Sequence, residues 1–265
     1  MVKRLIGIVL AAALLMVFCG CELKKDSPKI TAPPTRPTLP TNPYSSKDFE
    51  FDGQFLHCTA GESLVGIDVS AHQGEIDWQQ VKDCGVEFVF IRLGYRGYDT
   101  GEICIDAYAK YNLEHARKAG LQVGAYFFSQ AINEQEALEE AKFALDVLDG
   151  FQLELPLVYD WEHMVEEDAR TDNVKKDELM ACIKVYCAAV EQAGYRAMVY
   201  FNRSLAGTHL ELIELVEYPF WLAAYTENMN YPYRIEFWQY TETGSVAGIE
   251  GPVDLDIWLP LPQMA

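Results

Sequence analysis

The sequence predicts an α/β fold in which eight strands close into a single barrel. Strand-like and helical segments alternate from Leu64 to about Val216, and three more strand-like segments follow with only turns between them. Such alternation is typical of parallel β–α–β units, and eight strands in one domain of this length favour a closed barrel. We therefore expect eight strands but only five full helices, because no helical segment separates the last three strands.

Each predicted strand is a short apolar run, and the predicted helices show a period of 3.6 residues. Residues 48–63 are expected to add a short strand or lead-in before the barrel. The strands are expected at Leu64–Val69, Glu87–Leu93, Leu121–Phe128, Leu153–Glu162, Tyr195–Phe201, Phe220–Tyr225, Ile235–Tyr240 and Val253–Trp258. The helices are expected at Ile76–Cys84, Ile103–Ala119, Glu134–Leu148, Asn173–Ala193 and Arg203–Val216.

The fourth predicted strand carries two acids at its polar end, in the sequence LELPLVYDWE. Side chains alternate across a strand, so Asp160 and Glu162 face one side while Tyr159 and Trp161 face the other. With a rise of about 3.3 Å per residue, the two carboxyl groups can approach the roughly 5–5.5 Å separation found in retaining glycosidases. Taken alone, the same pattern also fits a helix N-cap or two acids that face solvent.

Polar side chains recur at or near the carboxyl end of the predicted strands. In a barrel of β–α units, active sites are built at that rim. Because the pattern repeats around the barrel, it favours a site over the solvent-facing alternative for the two acids. The residues concerned are Asp68, Arg92, Tyr126, Asp160, Glu162, Tyr200, Tyr225, Gln239 and Asp254.

The composition argues against nucleic-acid binding. The chain has 265 residues, of which 50% are hydrophobic, and a formal net charge of −19. No surplus of Lys and Arg is available for phosphates, so we exclude nucleic acid as a partner. The histidines and cysteines lack the spacing of metal ligands, so we predict no metal. We also predict no cofactor and a monomer.

Residues 1–21 have the pattern of an export signal. Lys3 and Arg4 precede the apolar run Leu5–Phe18, which is too short for a convincing membrane span. The following Gly20-Cys21 resembles the end of a bacterial lipobox, with Cys21 as the expected lipidated residue. An ordinary cleaved signal peptide is the alternative.

Residues 22–47 are rich in Pro and Thr, which predicts an extended, semi-rigid linker without a core. The catalytic barrel is then expected to occupy residues 48–265. We expect an exported protein that is lipid-anchored on the outer face of the bacterial cell membrane, or otherwise secreted.

Seven motifs, in order between Leu64 and Trp258, resemble those of the glycoside hydrolase family 25 lysozymes. They are GIDVSAHQGEIDW (66–78), FVFIRLGYRG (88–97), AGLQVGAYFF (119–128), LPLVYDWE (155–162), FWLAAY (220–225), FWQYT (237–241) and GPVDLD (251–256). The resemblance implies an irregular TIM-like (β/α)5(β)3 barrel, which agrees with the strand and helix count. It also implies a peptidoglycan hydrolase that cleaves the β-1,4 bond between N-acetylmuramic acid and N-acetylglucosamine with retention.

Carried over by position, the resemblance makes Glu162 the general acid and later base, and Asp160 the stabiliser or nucleophile. Asp68 and Asp254 become supporting acids, with Asp256 on the same strand face as Asp254. A covalent intermediate and assistance by the substrate's acetamido group both fit the spacing. An oxocarbenium-like transition state is cationic, so ionised carboxylates around it stabilise it.

The remaining predicted site residues are expected to contact the glycan strand of peptidoglycan. Four aromatic side chains are candidates for stacking on sugar faces, although for each of them taken singly core packing is the favoured expectation. They are Tyr126, Trp221, Tyr225 and Trp238. Arg92 is expected to hold a carboxylate in place or bind substrate, and Tyr200 and Gln239 to contact substrate.

Two other functions compete with this hypothesis. A barrel with the same carboxylates could hydrolyse chitin-like oligomers. A catalytically silent glycan-binding lipoprotein is the second alternative, although a binding protein has no need of paired acids.

Overall fold

The computed structural model describes residues 38–164 and 168–259. The predicted signal peptide, its Cys21 and the linker as far as residue 37 lie outside these ranges. Within them, no helix combines the length and the apolar character needed to cross a membrane.

Eight strands form a closed mixed barrel, as predicted. Its strand order is β3-β11-β10-β9-β8-β7-β6-β4, and a β3–β4 pairing closes it. The barrel strands are β3 (Leu64–Val69), β4 (Phe88–Arg96), β6 (Gln122–Ser129), β7 (Leu157–Trp161), β8 (Ala197–Asn202), β9 (Phe220–Ala223), β10 (Phe237–Gly244) and β11 (Val253–Trp258). Three further strands are β1 (Phe49–Phe51), β2 (Leu56–Cys58) and β5 (Ile103–Ile105).

One barrel strand runs against the others. The seven strands from β3 to β10 pair in parallel, whereas β11 is antiparallel to both β10 and β3. Parallel neighbours need a crossover connection, while antiparallel neighbours can be joined by a hairpin. The last strand therefore needs no helix. The parallel strands β9 and β10 are joined by an irregular crossover, residues 224–236.

Five helices follow the first five barrel strands, as predicted. They are α1 (Trp78–Asp83), α2 (Ala109–Lys118), α3 (Glu134–Leu148), α4 (Lys176–Gln192) and α5 (Arg203–Thr208). Side-chain caps begin several of them: Asn133, for example, accepts a hydrogen bond from the Glu136 amide at the start of α3 (3.0 Å). The helices bury their apolar faces against the outside of the barrel.

Two helix predictions were too long. The predicted helix from Ile103 begins only at Ala109, because residues 103–105 form β5, which pairs antiparallel with the end of β4. The β-branched Ile103 and Ile105 suit this extended edge. The predicted helix over 203–216 is instead the short α5 followed by a separate 3₁₀ turn at Leu212–Leu215.

The barrel interior is filled mainly by aromatic side chains. Phe90 stacks on Trp221, with ring centroids 4.6 Å apart, and meets Phe237 edge-on at 5.0 Å. Two glycines leave room for the interior rings. A Cβ atom on Gly66 would collide with the ring of Phe88, and one on Gly124 would collide with the ring of Phe90. The lower half of the barrel is therefore a packed core, and a site can form only at its mouth.

The segment before β3 covers a part of the barrel that has no helix. The β1–β2 hairpin lies outside β10: Phe49 packs edge-on against Trp238 at 5.3 Å, and the Tyr240 hydroxyl accepts a hydrogen bond from the Leu56 amide (3.3 Å). Its turn, residues 52–55, lies beside the carboxyl end of β10. The hairpin thus buries the outer face that a crossover helix covers elsewhere.

The predicted linker ends earlier than its composition indicated. Thr41 forms a bridge with Tyr233, and the Pro40 carbonyl accepts a hydrogen bond from the Arg234 amide (2.8 Å). Pro40 borders the starts of β8, β9 and β10. These backbone pairings hold the segment against the barrel. The described chain therefore begins beside the amino-terminal ends of the parallel strands.

The Gly66→Ala substitution should destabilise the barrel by about 1–3 kcal/mol, because the added methyl group must displace the packed Phe88 ring. Gly207→Ala is the matched control, since the space around this helical glycine is open. We expect the control to unfold at the same or a slightly higher urea concentration than the wild type. Equal urea midpoints for both variants would contradict the proposed packing.

Candidate active site

A pocket of about 230 Å³ opens at the carboxyl ends of the parallel strands. It gathers five carboxyl groups around one guanidinium group, Arg92. Ten of the predicted site residues line this pocket: Asp68, Arg92, Tyr126, Asp160, Glu162, Tyr200, Trp221, Tyr225, Gln239 and Asp254.

Trp238 is the predicted sugar-contacting residue that the structure places elsewhere. Its side chain is 0% exposed and belongs to the outer core, where its indole N–H donates to the Ala224 carbonyl (2.9 Å). Neighbouring residues of a strand face opposite sides. Because Gln239 points into the pocket, Trp238 must point away from it.

Strand β7 supplies the two central acids. Asp160 is 5% exposed, and its Oδ1 atom has no hydrogen-bond partner among the described residues. Glu162 follows the strand directly, and its carbonyl accepts a hydrogen bond from the Gln130 side chain (2.8 Å). Gln130 is buried and thereby fixes the chain where it leaves the barrel. Both side chains line the same pocket, while their predicted carboxyl separation stays a prediction.

The pKa values of both acids are raised. For Glu162, burial together with the charges of Asp254 and Glu242 raises the pKa from 4.5 to about 7. For Asp160, burial and the neighbouring Glu162 raise the pKa, and Arg92 opposes this shift. A group with a pKa near 7 can both donate and accept a proton at neutral pH.

A hydrogen-bonded chain connects Asp68 to two tyrosines. The Gln239 amide donates to Asp68 Oδ2 (2.7 Å), and its Oε1 atom accepts from the hydroxyls of Tyr200 (3.0 Å) and Tyr225 (3.2 Å). Gln239 is therefore held by three partners. Burial and the charges of Asp254 and Asp256 raise the pKa of Asp68.

Strand β11 adds two acids at different depths. Asp254 lies opposite Asp68 in the antiparallel register and lines the pocket, and its burial and the charge of Glu242 raise its pKa to about 6. Asp256 is fully buried, and its Oδ1 atom accepts from the Trp221 indole N–H (2.8 Å). Trp221 is thus oriented by an acid beneath the pocket.

Arg92 binds a carboxylate, which was one of the two expectations for this residue. Its Nε atom lies 2.9 Å from Asp106, which the sequence did not single out. Asp106 also accepts hydrogen bonds from the amides of Ala71 (2.9 Å) and Tyr108 (2.9 Å). It therefore ties the loop after β3 to Arg92 and to the start of α2.

Glu242 is a pocket acid that the sequence analysis missed. Along β10, Gln239 pairs with Asp256 and Thr241 with Leu255, so two steps on β10 match one step on β11. Such a bulge reverses the in–out alternation. Glu242 consequently faces the pocket with Gln239, although the two residues are three positions apart and strict alternation would put them on opposite faces.

The family comparison agrees with this site. The model for glycosyl hydrolases family 25 matches residues 67–249. The chain is 32% identical over 217 residues to the uncharacterized protein YegX of Escherichia coli strain K12. The aligned region covers 77% of this chain and 72% of YegX. It is 26% identical over 194 residues to an autolytic lysozyme of Clostridium acetobutylicum, which covers 73% of this chain and 55% of that protein.

A solved structure of similar fold is that of the modular autolysin LytC from Streptococcus pneumoniae in complex with a synthetic peptidoglycan ligand. The two structures superpose with a TM-score of 0.66 at 31% sequence identity, over 75% of this chain and 47% of LytC. The chain thus spans about half the length of that autolysin. The family match, the relatives and the shared barrel together show that this chain belongs to glycosyl hydrolase family 25.

Proposed function

We propose that the protein is an N-acetylmuramidase, which cleaves the β-1,4 bond between N-acetylmuramic acid and N-acetylglucosamine in peptidoglycan with retention. The observation that carries the proposal is the pairing of Asp160 with Glu162 in one pocket, where the pKa of Glu162 is about 7. The similarity to an autolytic lysozyme and to the ligand-bound LytC supports this choice of substrate.

In the proposed first step, protonated Glu162 donates its proton to the glycosidic oxygen as the bond from that oxygen to C1 breaks. The sugar ring then develops positive charge, which ionised Asp160 stabilises. In the second step, Glu162 removes a proton from the attacking water and returns to its starting state.

We favour assistance by the substrate's acetamido group over a covalent enzyme intermediate. The acetamido oxygen would attack C1, and the resulting oxazolinium ion would carry an N–H that needs an acceptor. Asp160 Oδ1 is a buried acceptor to which the described residues donate no hydrogen bond. A substrate N–H that reaches this atom would satisfy it.

We also propose that the protein is exported and held at the outer face of the membrane by a lipid on Cys21. The support is the sequence pattern that ends at Gly20-Cys21. An anchored enzyme would act on the wall of its own cell, which suits remodelling of that wall.

Glu162→Gln should lower activity by about 10²–10⁴-fold, because it removes the proposed proton donor while nearly preserving its shape. The measurement is the release of muramic acid reducing ends from purified peptidoglycan, with products identified by mass after reduction. Glu191→Gln, on an exposed position at the far end of α4, is the matched control and should leave the rate unchanged.

Near wild-type rates for Glu162→Gln would remove Glu162 from its role. If the wild type cleaved chitin oligomers but released no muramic acid ends, the substrate assignment would be wrong. If it cleaved neither polymer yet bound glycan, the protein would be a silent glycan-binding protein.

The rate constant kcat/KM should fall as pH rises through about 7, because Glu162 then loses the proton that it must donate. Asp254→Asn and Glu242→Gln each remove a negative charge that raises the pKa of Glu162, so each should move this upper limb to lower pH. Asp68→Asn should move it less, since Asp68 interacts mainly with Asp254 and Asp256. An upper limb that stays fixed in both of the first two variants would contradict the electrostatic description.

Cys21→Ala should move the protein from the membrane fraction into the medium, because lipidation requires the thiol. The measurement is the distribution of the chain between membranes and medium in the producing cells, with the mass of the Cys21 peptide of the wild type as a parallel test for the lipid. A Cys21→Ala protein that stays membrane-bound and full-length would show that Leu5–Phe18 is a retained helix instead.

A further inference from the structure

A second cavity, of about 580 Å³, continues from the catalytic pocket along the outside of β10. It shares Tyr225 and Glu242 with that pocket. The β1–β2 hairpin also lines it, through Phe51 at the end of β1 and Gln54 in the turn. We call this cavity the side groove.

Two aromatic rings are exposed in the side groove. Phe51 is 44% exposed and Tyr225 is 52% exposed, and both are among the few large apolar side chains that the described chain leaves open to solvent. Exposed apolar surface that borders a polar cleft is typical of a binding site. Flat rings beside hydrogen-bonding groups also suit sugars, which present apolar faces and polar edges.

The charges of the side groove favour a neutral ligand. Its lining holds the carboxyl side chains of Glu227 and Glu242, and it includes no Lys, Arg or His. Gln54, Thr241 and Thr243 supply groups that can donate or accept hydrogen bonds without charge. An anionic ligand would be repelled, whereas the hydroxyl and acetamido groups of a neutral sugar would find partners.

The position of Phe51 is fixed by the fold of the hairpin. Next to it, Asp52 accepts hydrogen bonds from the amides of Gln54 (2.8 Å) and Phe55 (2.8 Å) and lies 2.9 Å from His57 Nε2. Since the hairpin is also held by the Phe49–Trp238 contact, the ring is fixed at the end of a packed strand. A preorganised platform loses little entropy when a ligand binds.

We propose that the side groove binds a further N-acetylglucosamine unit, the neutral sugar of the glycan strand whose cleaved bond lies in the catalytic pocket. Phe51 would stack on a sugar face, and Tyr225 would border both cavities. This inference rests on the proposed function. The hairpin that completes the groove lies outside residues 67–249, the segment matched by the family model.

The test compares Phe51→Ala with the wild type on long, soluble glycan strands and on a disaccharide. Loss of one aromatic contact should raise KM for the long strands about three- to tenfold with kcat unchanged. The disaccharide, whose two units flank the cleaved bond, should show no change. Phe51→Trp should restore the wild-type KM. Tyr233→Ala should leave KM unaffected, because Tyr233 is a 37% exposed aromatic that pairs with Thr41 and does not line the side groove.

Binding separates this inference from the proposed function. In a Glu162→Gln background, where cleavage is blocked, Phe51→Ala should weaken the affinity for long strands by the same factor. Unchanged KM and affinity in a wild type that releases muramic acid ends would overturn the side groove alone. Equal losses on long and short substrates would also overturn it. Failure of the wild type to cleave peptidoglycan would refute the proposed function, while the binding measurement would still decide the role of Phe51.

Discussion

The antiparallel entry of β11 between β10 and β3 is the constraint on which the site depends. A parallel strand at this place would carry its first residues at the closed lower end of the barrel. Because β11 is reversed, its start lies at the open mouth, and Asp254 lies opposite Asp68. The same strand carries Asp256 beneath the pocket, where it orients Trp221. Closure of the barrel and assembly of the acidic pocket are therefore achieved by one strand.

The acidic pocket reduces the stability of the folded protein at neutral pH. A buried carboxyl group with a raised pKa keeps its proton in the folded state at pH values where the unfolded chain has released it. For Glu162, this difference develops between pH 4.5 and about 7, so its contribution becomes less favourable as pH rises through that window. The tightly packed aromatic interior below the pocket offsets this cost. Carboxyl groups that carry out chemistry are thus held in place by residues that take no part in it.

Much of the barrel was predictable because most strands are short apolar runs separated by clear helix signals. The two ends of β3 and β11 and the whole of α3 were predicted to the residue. The missed features arise where local rules are broken. The bulge in β10 brings Glu242 inward, and a strand too short to show a pattern replaces the start of a helix at Ile103. The sequence did contain the signal that Trp238 lies outside the pocket. Neighbouring residues of a strand face opposite sides, so a pocket-facing Gln239 excludes Trp238 from the pocket.

The point at which the chain enters the barrel decides how a tethered enzyme would face its polymer. Pro40 lies against the starts of β8, β9 and β10, and the catalytic mouth opens at the other ends of the strands. A strand of six residues spans about 20 Å. The described chain therefore starts at the base of the barrel, so that a tether attached there would leave the mouth free for a polymer.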